Sequence, residues 1–143
     1  MKAFLDTNVL LDILMDSRIN HYDSSTILRV AEKGVIQAVM STQSIVDASY
    51  VFSQKEKLSL DSFKSAIRFI LSIVTVASID ENDIKAALRS SIGDFEDSAQ
   101  ISCAMNAGCD VIISSDRKWK GYTVANVYSP KEFCDLLFGD NTH

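Results

Sequence analysis

The chain has 143 residues and a mass of 15.8 kDa, with 47% apolar and 23% charged residues, five glycines and one proline. A chain of this length buries about 68–70% of its unfolded surface, so residues 1–143 are expected to form a single domain without disulfides or a structural metal, and the composition excludes disordered, collagen-like and linker-rich classes. The net charge of −5 and the pI near 4.9 argue against a protein that coats nucleic acid electrostatically. They leave room for an enzyme that cuts nucleic acid at a group of acids, because two divalent cations, four positive charges, would bring −5 to −1.

The longest apolar run, from Phe69 to Ala77, is broken by Ser72 and Thr75, well short of the roughly 18–20 residues of a membrane span. Asp6 stands where a signal peptide carries its apolar run, and a cytoplasmic protein is expected. Cys103, Cys109 and Cys134 form no C-x-x-C pair and read as reduced, mostly buried thiols. The two histidines are His21 and the last residue, His143, so histidine catalysis would rest on His21 alone.

In chain order, Ala3-Phe4-Leu5 reads as a short buried strand and Thr7 to Met15 as a helix. A second helix spans about Tyr22 to Lys33, with Gly34 as its stop. Val35 to Met40 is a strand. Ser41 or Thr42 caps a helix to about Lys55, and Ser59 caps the next, which places Leu60, Phe63, Ile67, Ile70 and Leu71 on one face. Val74 to Ser78 is a strand, and Asp80-x-x-Asp83 opens a helix to about Ser90. Gly93-Asp94 opens another, ending at Gly108. Asp110 to Ser114 is a buried strand and Val124 to Tyr128 the last strand. Ser129-Pro130-Lys131-Glu132 combines an N-cap, a proline at the first helical position and a capping-box glutamate. That helix runs to about Phe138, and Gly139 begins a polar tail. The alternation predicts an α/β fold, a mostly parallel sheet with helices on both faces.

Two apolar strands lead directly into aspartates, Phe4-Leu5 into Asp6 and Val111-Ile112-Ile113-Ser114-Ser115 into Asp116. In open α/β sheets the ligand site lies beyond the carboxyl ends of the strands, so both acids fall on the functional edge. Asp94 and Asp97 lie three apart at a helix start and share a face; Asp47 lies about a turn into the helix after the Val35–Met40 strand. A ring of oxygen donors without imidazole or thiolate suits a hard cation, Mg²⁺ or Mn²⁺. Taken singly, Asp94 also reads as an N-cap and Asp116 as a turn residue, whereas Asp12, Asp16, Asp23 and Asp61 read as solvated or capping.

Phe4-Leu5-Asp6-Thr7-Asn8-Val9-Leu10-Leu11-Asp12 resembles the opening of PIN-domain nucleases. Asp94-Phe95-Glu96-Asp97-Ser98-Ala99-Gln100 followed by Ala104 is similar to their third motif, Asp110 to Asp116 to their fourth, and Tyr128 to Phe133 to the entry into their last helix. The ordered set covers essentially the whole chain, and the length is similar to that of VapC-like toxins of bacterial toxin–antitoxin pairs. The resemblance implies a PIN-like (Rossmann-like) three-layer α/β/α fold and a metal-dependent ribonuclease that hydrolyses RNA phosphodiester bonds. It implies Asp6, Asp97 and Asp116 as metal-binding acids, Asp94 as a further acid, and Asn8 and Ser114 as supporting polar residues. In the second motif, Ser41-Thr42-Gln43-Ser44-Ile45-Val46-Asp47, the family usually has glutamate at the position of Asp47, which here keeps the charge and shortens the reach. It further implies an RNA substrate, a small antitoxin protein as partner, and a homodimer.

Arg117, Lys118, Trp119 and Lys120 follow Asp116 and are candidates for holding a single strand and stacking a base; the same stretch reads as a solvated loop with a packed tryptophan. A phosphatase of the haloacid dehalogenase type also has Phe-Leu-Asp near its start, but needs a second aspartate where this chain has Asn8. The alternative of another class is a catalytically weak or silent PIN-like protein-binding module, for which the Asp47 departure speaks.

Overall fold

The computed structural model describes residues 1–123 and 125–139. Five short strands alternate with helices. Strand β1 (Lys2–Leu5) is followed by α1 (Thr7–Leu14) and α2 (His21–Glu32), then β2 (Gln37–Ser41) by α3 (Thr42–Tyr50). A wide π-helical turn over Val51–Lys55 prolongs α3, so the helix extends as far as the sequence predicts but loosens in its last turn. Then come α4 (Leu60–Leu71), β3 (Thr75–Ala77), α5 (Glu81–Arg89), α6 (Phe95–Asn106), β4 (Val111–Ile113), β5 (Asn126–Tyr128) and α7 (Pro130–Phe138). The predicted start of the last strand, Val124, lies outside the described residues. Sequence reading missed the 3₁₀ turn at Arg117–Gly121, which carries only a single buried side chain and hence no periodic signal.

The strands form one parallel sheet in the order β3-β2-β1-β4-β5. The chain first builds outward from β1 to β3, then returns to the other side of β1 for β4 and β5. The carboxyl ends of β1 and β4 therefore flank the point where the winding reverses, the usual ligand crevice of such sheets.

Side-chain alternation along the strands divides the core into two layers. Ala3 and Leu5 of β1, Ala38 and Met40 of β2, and Val111 and Ile113 of β4 pack with side chains of α1, α2, α4 and α7. Phe4, Val39 and Ile112 face the opposite way, against Ile101, Cys103 and Ala104 of α6 and the indole of Trp119. On α4 the buried stripe is narrower than the pattern suggests. Phe63, Ile67 and Ile70 are buried, whereas Leu60 and Leu71 lie at its margins and are exposed.

The helix starts follow their capping signals. Ser41, Ser59 and Ser129 each accept a backbone N–H from the first turn of the following helix, and Asp80/Asp83 and Ser129/Glu132 form complete capping boxes. Gly34 ends α2 at φ 80, a left-handed conformation that suits glycine. All three cysteines are free and buried, their thiols pushed up to about 11 chiefly by burial.

Candidate active site

Asp6 stands at the centre of the crevice. Its backbone N–H donates to the carbonyl of Ile113 at 3.0 Å, extending the β1–β4 ladder past the strand end. Its carboxylate caps α1, accepting from the Thr7 N–H at 2.7 Å and from the Ser114 hydroxyl at 2.8 Å. The Ser114 oxygen in turn accepts the Asp116 N–H at 3.0 Å. Ser114 thus ties the first acid to the turn carrying another. Burial pushes the Asp6 carboxyl up to about 6, against the two hydrogen bonds that favour its charged form; the charges of Asp97 and Asp116 add to the rise.

Asp97 sits on the first turn of α6, where Asp94 caps the helix by accepting the Asp97 N–H at 2.9 Å. Partial burial, then the charges of Asp94 and Asp116, raise the Asp97 carboxyl; Lys118 and the Trp119 indole N–H pull the other way. Asp116 caps the 3₁₀ turn, accepting the Lys118 N–H at 3.0 Å. The structure therefore brings Asp6, Asp97, Asp116 and Asp94 into one electrostatic neighbourhood built from three separate chain segments.

Asp47 joins this group at its rim. It accepts from Gln43 at 2.8 Å and lies close enough to Glu96 to act on it: the Glu96 carboxyl is raised by partial burial, then by Asp47, Asp94 and Asp97. Glu96 is the acid that sequence reasoning overlooked; it lies between two motif aspartates, and its pairing with α3 appears only when the helices are docked. A buried polar layer supports these helix starts from beneath. The Ser44 hydroxyl meets Thr7 at 2.8 Å, Ser41 at 3.2 Å and the Gln100 amide at 3.2 Å. The Gln100 carbonyl oxygen is buried without a hydrogen-bond partner among the described residues.

Three expectations need correction. Asn8 is exposed and accepts from Arg18 at 3.4 Å instead of supporting the carboxylate of Asp6. Trp119 cannot stack a base: it is 1% exposed, because its indole completes the core under α6. Asp12 is neither solvated nor a cap. It is 2% exposed and paired with Arg18 at 2.8 Å, since it faces inward on an apolar helix and needs a cation there. Arg117, Lys118 and Lys120 are exposed as expected, although both Glu132 oxygens hold Lys120 at 3.0 Å. Arg117 and Lys120 line a cleft of about 520 Å³ with Ser114, Ser115 and Glu132. His21 hydrogen-bonds through Nδ1 to the Asp12 carbonyl at 2.7 Å, so it fixes a loop.

Fit to a divalent cation rests on donor chemistry. The converging groups are all carboxylates and hydroxyls, and the Asp6 and Asp97 carboxyls are raised first by burial and then by neighbouring acids, a combination that a hard cation would relieve. Among the described residues no three Asp, Glu, His or Cys side chains are already drawn in as a closed metal cage. An ion here would be held partly through water, the usual habit of Mg²⁺.

A parallel sheet of this order, with acids converging at its winding reversal, is a doubly wound α/β domain with a candidate site at its switch point. The family model for the PIN domain matches residues 2–118, and the chain belongs to the PIN-domain family. It is 27% identical over 139 residues to ribonuclease VapC1 of Aquifex aeolicus, covering 94% of each chain. Its fold is similar to that of VapBC2 from Rickettsia felis, solved with a DNA fragment from their promoter (TM-score 0.66, 13% identity, 90% of this chain and 98% of the other). It is also similar to Mycobacterium tuberculosis VapC20, a toxin described as cleaving the sarcin-ricin loop (TM-score 0.64, 13% identity, 87% and 98% covered).

Proposed function

We propose that this chain is a metal-dependent endoribonuclease, the toxin of a toxin–antitoxin pair. The observation that carries the reading is the convergence of Asp6, Asp97 and Asp116, from β1, α6 and the β4 exit, on one crevice in which the Asp6 and Asp97 carboxyls are raised. The full-length similarity to a curated ribonuclease supports the same chemistry.

Asp6, Asp97 and Asp116 would hold Mg²⁺ or Mn²⁺, with Asp94 adding negative charge. When bound, such an ion supplies Lewis-acid polarisation of the phosphate and acidification of a water. The protein's own part is positional. Ser114 and the Thr7 N–H fix the Asp6 carboxylate, and the Trp119 N–H steadies Asp97. Asp47 and Glu96, neighbouring acids at the rim, orient the attacking water and take up its proton. Arg117 and Lys118 hold the strand at the mouth of the crevice. The alternative of a silent protein-binding module draws on the aspartate at position 47, but Glu96 restores beside it a carboxylate of the longer reach. A small antitoxin partner accords with the shared fold of solved VapBC pairs. The homodimer rests on the family resemblance alone. A cytoplasmic location accords with this reading; no described helix is long and apolar enough to cross a membrane.

The test is incubation of total RNA and tRNA with the protein in Mg²⁺, Mn²⁺ or EDTA. Discrete cleavage with either metal and none in EDTA is expected. Undiminished cleavage in EDTA overturns the metal mechanism, and intact RNA in every condition favours the binding module.

A further inference from the structure

Asp12, Arg18 and Asn20 make a device that the acidic site does not absorb. Asp12 lies on α1, its side chain 3% exposed, with one oxygen accepting from Arg18 Nε at 2.8 Å and the other from the Ser24 hydroxyl at 2.9 Å. Arg18 Nη2 reaches the Asn8 side chain, two residues past Asp6, at 3.4 Å. Both bonds use the side of the guanidinium that Nε and Nη2 share. The end of the fork, with Nη1 and the second Nη2 hydrogen, has no partner among the described residues, and the side chain is 32% exposed. Two residues on, Asn20 donates to the Ser115 hydroxyl at 3.3 Å. The α1–α2 loop is thereby tied to the first turn of α1, just past Asp6, through Asn8 and to the β4 exit through Ser115.

We infer that Arg18 is a substrate-binding residue, whose open guanidinium end grips a phosphate of the RNA strand at the rim of the crevice. This rests on the ribonuclease reading above. Neutralising Asp12 requires only a charge. The exposed, correctly spaced end of a planar fork matches two oxygens of one phosphate, and the Asp12 and Asn8 bonds fix its direction before the strand arrives, reducing the ordering cost of binding.

The test measures binding of a labelled single-stranded RNA in EDTA across a salt series, and KM and kcat with Mn²⁺. Arg18→Gln should weaken binding about tenfold at low salt, as for loss of a charge-assisted contact. It should make the slope of log K against log salt shallower by about 0.7, one phosphate contact on a single strand, and raise KM more than it lowers kcat. Arg18→Lys should restore the salt slope without restoring KM. Because Arg18→Gln strands a buried carboxylate, the double variant Asp12→Asn with Arg18→Gln provides a folded reference, and the same loss of slope is expected there. A wild-type slope and KM in the folded double variant overturn the proposal while leaving the ribonuclease intact. A wild-type protein that neither binds nor cuts RNA overturns both.

Discussion

Burying Asp6 at the end of β1 costs the metal-free fold stability at neutral pH. Its carboxyl rises from 3.8 to about 6, so between these values the folded chain keeps a proton that the unfolded chain has lost. Unfolding free energy therefore falls as pH rises through this window, by on the order of 3 kcal/mol for this one group, and the loss is complete above about pH 6. The melting temperature of metal-free wild type relative to Asp6→Asn should accordingly drop between pH 4 and pH 7. A difference that stays constant across that interval contradicts the burial account. Trp119 offers a second test at the same scale. Its ring fills the core, and its indole acts to lower the Asp97 carboxyl. Trp119→Phe should therefore keep the chain folded, at a cost of about 1–3 kcal/mol, and lower kcat by more than it changes KM. An unchanged kcat in folded protein would leave the tryptophan a purely structural residue.

The helices α1, α3 and α6 all begin at the carboxyl edge of the sheet, and each carries an acid of the site in or before its first two turns. These starts were legible because caps are local. Asp94, Ser129 and the Asp80/Asp83 pair announce themselves within four residues. Contacts between elements were not legible. Nothing near Glu96 in sequence signals Asp47 on α3, and nothing in an apolar helix signals that Asp12 will be met by an arginine from the following loop. The proposed role of Asp47 beside Glu96 gives a prediction. Asp47→Asn should cut activity strongly at limiting metal, whereas Asp47→Glu should retain it, and Mn²⁺, less demanding in geometry, should outperform Mg²⁺ in the wild type. Equal metal-dependent rates for wild type and Asp47→Asn would remove this position from the site.

Across the whole molecule, strand exits from β1 and β4 and the start of α6 concentrate negative charge at one end of the sheet. The parallel topology and both core layers could be read from buried runs such as Phe4-Leu5 and Val111-Ile112-Ile113, since strands buried on both faces carry no polar alternation. The converging acids could be placed at the sheet edge because each follows a strand or opens a helix. At Trp119 the sequence left two readings open, because one large aromatic in a polar loop has the same signature whether it points to solvent or fills a core, and the structure settles it as packed. The central claim is that the converged acids serve a cation and not the fold. Thermal unfolding of wild type and Asp97→Asn at pH 7.5, with and without Mn²⁺, tests it most directly. The account predicts that metal-free Asp97→Asn melts at or above wild type, because one repelling charge is gone, and that Mn²⁺ at about 100 times its Kd, worth about 2.7 kcal/mol, raises wild type by several degrees and leaves the variant unmoved. A large loss of stability in the metal-free variant, with wild type indifferent to Mn²⁺, would contradict it.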